Sequence, residues 1–179
     1  MGTKTALTPA DLLAMPDDDS VEYELSDGEL IVMGKAGMWH ELIKSNVVTR
    51  LCMYAGEHPE AGRIFPESLF QLGPRTARMP DAAFLGPAKV ALLSEANIII
   101  PVVPDLAVEV ISESETAASA ETKVREYLGA GVREVWQFYP RERRVRVHLP
   151  DRVYDLTGDE FLETPVLPGF SVKVSAFFA

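Results

Sequence analysis

The sequence predicts a mixed α/β fold, a central mixed β-sheet flanked by helices. Three observations predict it: an Asp27-Gly28 pair between extended runs, a helical apolar pattern over residues 39–57, and a strand, helix and strand succession across residues 105–139. An Asp-Gly pair in such a setting is the strongest short-range hairpin signal. A strand, helix and strand unit crosses over right-handed and sets its two strands parallel. With 179 residues the chain has the length of one domain, taken as 1–179, and 47% hydrophobic residues are enough for a packed core.

The elements follow in chain order. Thr8 and Pro9 open a short helix through Met15, which residues 17–20 break. Residues 21–25 and 29–33 form the hairpin. Leu42, Ile43, Val47, Leu51 and Tyr54 recur at three and four, which marks the apolar face of the helix at 39–57. Residues 63–72 and 79–85 read as neighbouring strands parted by Gly73-Pro74. Residues 105–112 are apolar on both faces except at Glu109, the pattern of a central strand covered on both sides. A helix at 114–130 stops at Gly129 and Gly131, and a strand at 132–139 follows. Residues 144–149 and 152–156 make a second hairpin, and alternating apolar residues at 168–178 pack along the sheet. The connection at 86–104 carries the weakest pattern.

Composition excludes several classes. No apolar run approaches the roughly 20 residues of a membrane span, and the N-terminus lacks the apolar block of a secretory signal. Cys52 is the single cysteine, so there is no intramolecular disulfide and no cysteine zinc site, which fits a reducing cytoplasm. A net charge of -10 weighs against nonspecific coating of polyanions. The charge is uneven: residues 1–31 are strongly acidic, whereas Arg141, Arg143, Arg144, Arg146 and Arg152 outnumber the acids of their segment. That basic segment reads either as a solvated hairpin of ion pairs or as a phosphate contact.

Glu109 is the most informative residue, because a carboxylate among Leu106, Ala107, Val108, Val110 and Ile111 is costly to bury without a cation. Asp81 opens a second apolar strand, and the two acids converge if those strands are central. Hard oxygen donors of this kind favour Mg²⁺ or Mn²⁺ and a phosphoester substrate. Lys123 lies near the apolar face of its helix, where an inward ammonium needs an anion. Each of the three read alone is an ordinary ion pair or a snorkelling side chain. His40, at a helix start, either serves a phosphate or carboxylate or is a structural histidine; His58 and His148 read as surface residues, and Trp39 and Trp136 as packing residues.

In this order and spacing the residues resemble the PD-(D/E)XK nuclease superfamily, and within it a bacterial restriction endonuclease-like family of uncharacterised function. The resemblance is carried by residues 23–29 (Tyr-Glu-Leu-Ser-Asp-Gly-Glu), His40, 79–84 (Met-Pro-Asp-Ala-Ala-Phe) and 104–112 (Pro-Asp-Leu-Ala-Val-Glu-Val-Ile-Ser). It continues through Lys123, Tyr127, residues 130–136 (Ala-Gly-Val-Arg-Glu-Val-Trp) and 167–170 (Leu-Pro-Gly-Phe). It implies a restriction endonuclease-like core and a Mg²⁺-dependent DNA endonuclease, acting as a homodimer so that two sites face two strands. It assigns the metal to Asp81 and Glu109, with the carbonyl of Val110 as a further ligand. Glu24 becomes an accessory acid acting through water, and Glu67 a weaker candidate for the same role. The sequence departs from the Glu-X-Lys pattern by having Ile111 in the lysine position, and the resemblance implies that Lys123 supplies the amine from the following helix. Two alternatives stand beside the nuclease: a noncatalytic module of this fold whose acidic end binds a protein partner, favoured by Ile111 and the net charge, and an enzyme acting on a small phosphoester.

Overall fold

The computed structural model describes residues 6–16 and 20–179; the expected helix break at 17–19 lies outside them. A short helix α1 (Pro9–Leu12) is followed by the hairpin β1 (Val21–Ser26) and β2 (Glu29–Gly34). Asp27 and Gly28 both take positive φ (45° and 85°), as a two-residue turn matched to strand twist requires. The long helix α2 (Met38–Glu57) comes next, then β3 (Arg63–Pro66), β4 (Phe70–Gly73), β5 (Thr76–Arg78) and β6 (Ala82–Leu85). The connection at 86–104 contains a single helical turn, α3 (Pro87–Val90). Then follow β7 (Leu106–Val110), α4 (Ala117–Ala130), β8 (Glu134–Tyr139), the hairpin β9 (Arg144–His148) and β10 (Val153–Thr157), and the pair β11 (Phe161–Glu163) and β12 (Ser171–Lys173). Among the described residues no helix is long and apolar enough to cross a membrane.

Six strands form the central sheet in the order β10-β9-β8-β7-β6-β3, and its one parallel pair is β7 with β8, joined through α4. A four-stranded antiparallel sheet, β2-β1-β5-β4, stands beside it. Alternation along β7 separates two layers. Leu106, Val108 and Val110 face the larger core with Ile43, Val47 and Leu51 of α2 and with Trp136 and Phe138 of β8. Ala107 packs with Val124 and Tyr127 of α4, so Glu109, two residues on, belongs to the α4 face.

Four sequence expectations need correction. The single strand at 63–72 is two strands in different sheets, because Glu67 adopts φ 41° and turns the chain from β3, paired with β6, into β4, paired with β5. The alternation expected over 168–178 gives way after β12 to a 3₁₀ turn (Val174–Phe178), which brings Val174, Phe177 and Phe178 into the core at helical spacing. Trp39 and Leu42 are exposed, not packed, since the buried stripe of α2 starts at Ile43; Trp136 is fully buried, as expected. His58 and His148 are half-buried: His58 stacks on Tyr54, and His148 shares a hydrogen bond with Gln137.

Candidate functional site

Glu109 has almost no exposure, and both its oxygens are engaged from α4. The Lys123 ammonium donates to Oε2 at 2.9 Å and the Tyr127 hydroxyl to Oε1 at 2.6 Å. Lys123 and Tyr127 are four apart on one helix, so both descend on the same carboxylate. Asp81 arrives from the neighbouring strand. Pairing of β6 with β7 ends at Ala82 and Val108, which leaves the Val110 N–H beyond the ladder, and it donates to Asp81 Oδ2 at 2.6 Å. His40, in the first turn of α2, holds its Nε2 3.6 Å from the same Asp81 oxygen. The structure thus links His40 to Asp81, Asp81 to the Val110 N–H, and Lys123 to Glu109, the residue before Val110.

Glu24 also borders this group, but its carboxylate is already taken. Fully buried on β1, it accepts from Arg78 Nη1 at 2.7 Å and from the Met79 N–H at 2.8 Å. Glu67 stands further out, paired with Lys44 and half exposed. Arg78 and Glu126 escaped the sequence reading: Arg78, buried at the end of β5, bridges Glu24 and Glu126 of α4, and Glu126 also accepts from the Ser26 hydroxyl. Three arginines of the basic hairpin have acidic partners within the chain. Arg144 and Arg146 pair with Asp155, Arg141 pairs with Glu113, and Arg144 lies over the Tyr139 ring.

Asp81, Glu109, Lys123, His40, Glu24 and Arg78 line a cleft of about 620 Å³ between the first turn of α2, the hairpin β1–β2 and the start of α4. Its electrostatics are short of positive charge. Burial pushes the Glu109 carboxyl from 4.5 up to about 7; Lys123 opposes the rise, and Asp81 and Glu24 add to it. Burial draws the Lys123 ammonium down, yet Glu109, Glu24 and Glu115 outweigh it and hold it above the ordinary lysine value. Burial likewise acts against protonated His40, and Asp81 reverses the balance and raises it. Among the described residues no three His, Cys, Asp or Glu side chains gather at metal-ligand distances. Of the two carboxylates that the resemblance assigns to a cation, Asp81 accepts from the Val110 N–H and Glu109 from Lys123 and Tyr127. Two carboxylates suit Mg²⁺, which takes one or two and fills its remaining positions with water or phosphate oxygen.

The mixed sheet, with Asp81 just before β6, Glu109 on the adjacent β7 and Lys123 of α4 facing Glu109, is consistent with a restriction endonuclease-like core. The sequence profile of the Uma2 family, described as "Putative restriction endonuclease", matches residues 9–175, and the chain belongs to that family. In three dimensions the chain is similar to "a putative nuclease belonging to DUF820" from Anabaena variabilis. The TM-score is 0.84 over 96% of this chain and 97% of that one, at 18% identity, a likeness that speaks for the fold. No curated protein matches the chain.

Proposed function

We propose that this nuclease-family chain hydrolyses DNA phosphodiesters with Mg²⁺ or Mn²⁺ held by Asp81, Glu109 and the Val110 carbonyl. The observation that carries the reading is the Lys123 ammonium, 2.9 Å from Glu109 in a buried setting where the adjacent Val110 N–H is fixed by Asp81. When bound, the cation lowers the pKa of water and offsets charge on the phosphoryl oxygens. The chain's own residues do the rest. The Val110 N–H aims the Asp81 carboxylate, and Tyr127 fixes the rotamer of Glu109 from the opposite side. Lys123, protonated at neutral pH, faces the phosphate and stabilises the negative charge that develops on it. His40 stands 3.6 Å from Asp81 and is near enough to donate to a phosphate oxygen or a leaving group.

The test is nicking of supercoiled DNA in Mg²⁺ and in Mn²⁺ by the wild type and by Asp81→Asn, Glu109→Gln and Lys123→Ala. Each variant is expected to lose about a hundredfold or more in rate, the usual consequence of removing one charge-stabilising group. Equal nicking by all four proteins would reject the site. A wild type inert in both metals would leave the noncatalytic module standing, and turnover of a small phosphodiester without DNA cleavage would change the substrate class.

A further inference from the structure

In the PD-(D/E)XK pattern the lysine sits on the strand of its glutamate, and the strand itself fixes the distance between them. Here that position is Ile111, and the amine comes from α4. A lysine on a separate helix has a choice of partners that a strand lysine does not. Lys123 Nζ lies 2.9 Å from Glu109 Oε2, but Glu24 Oε2 and Glu115 Oε1 are each only 3.9 Å away, and Glu24 is the most deeply buried of the three acids. Left alone, a fully buried carboxylate would draw that ammonium to itself.

Arg78 prevents this. Its Nη1 donates at 2.7 Å to the very oxygen of Glu24 that faces Lys123, while the Met79 N–H holds the other oxygen at 2.8 Å. Its Nε donates at 2.6 Å to Glu126, three residues beyond Lys123 on α4. One guanidinium, itself 1% exposed, thereby offsets the charge of Glu24 and tethers the helix that carries the lysine. The planar fork of arginine suits two carboxylates at once, which a point charge would not.

We propose that Arg78 is a positioning residue: by occupying Glu24 and holding Glu126 it commits Lys123 to Glu109, which allows a helix-borne lysine to replace one on the strand. Its kinetic consequence rests on the nuclease reading above; its geometric consequence does not. The experiment pairs crystal structures with steady-state DNA cleavage for the wild type, Arg78→Met, Arg78→Lys and the double variant Arg78→Met with Glu24→Gln.

In Arg78→Met, Lys123 Nζ is expected nearer Glu24 than Glu109, with kcat lower by about a hundredfold, the cost of a misplaced group, and KM little changed. The double variant removes both charges of the pair, so Lys123 should return to Glu109 and most of the lost kcat should return with it. Arg78→Lys keeps the charge and should keep Lys123 on Glu109. A purely structural role would give no recovery in the double variant. The proposal is overturned if Lys123 stays on Glu109 in Arg78→Met, or if the double variant is as slow as the single one. Should Arg78→Met not fold, the double variant decides, and Lys123 away from Glu109 there overturns the proposal. A wild type that does not cleave DNA defeats the nuclease reading alone, because the Nζ distances still judge Arg78.

Discussion

Glu109 carries a pH signature that can be measured without any substrate. Its carboxyl titrates near 4.5 in an ordinary setting and near 7 in the folded protein, chiefly because burial disfavours the charged form. The folded state therefore binds that proton more tightly than the unfolded state. The stability it contributes is complete below about 4.5 and is lost as pH rises through about 7. Thermal melts of the metal-free protein should show this decline, and Glu109→Gln should flatten it. At pH 7 Mg²⁺ should stabilise the wild type by about 3 kcal/mol at a hundredfold excess over Kd, and Glu109→Gln far less. Asp81, Glu109 and Lys123 were legible in the sequence because each is a charge set in an apolar pattern. Arg78 was not: it ends a three-residue strand beside turn residues, and its burial arises only when β1 and α4 close over it.

At the scale of the element, the site depends on how α4 and β3 are terminated. Thr116 caps α4 by accepting from the Ser119 N–H, and Gly131 ends it at φ 100°. Thr116→Ala should cost about 1 kcal/mol, read by urea denaturation. Gly62, just before β3, has φ 142°, and a Cβ there would stand 2.1 Å from the Leu85 carbonyl oxygen and 2.8 Å from the Phe84 ring. Neither contact can yield without disturbing the β3–β6 pairing, so Gly62→Ala should cost about 2 kcal/mol or more by the same measurement. Both hairpins and the β7, α4 and β8 unit were legible because turn residues and periodicity are local. The break at Glu67 was not, since nothing in its own segment announces a left-handed carboxylate residue joining two sheets.

Over the whole molecule, charge pairing limits what the basic hairpin can offer a polyanion. Arg141, Arg144 and Arg146 already meet Glu113 and Asp155, and the chain carries a net charge of -10. The salt dependence of DNA binding should therefore correspond to about three phosphate contacts or fewer, read as the slope of log affinity against log salt. A steep slope that Arg146→Glu abolishes would show that the hairpin gives up its internal partners to DNA.

The amino-acid sequence by itself determined both hairpins and the β7, α4 and β8 unit, the placement of an acid at the start of one central strand and within the next, and the presence of an inward lysine on the next helix. Periodicity and the cost of an unpaired buried charge act over a few residues and need no fold to be read. Only the tertiary structure decided which carboxylate receives that lysine, that Glu24 is held by Arg78, and that the first turn of α2 borders the cleft. Those outcomes depend on side chains far apart in sequence meeting where water is excluded, and there the partners each buried anion already holds govern the ion pair that forms.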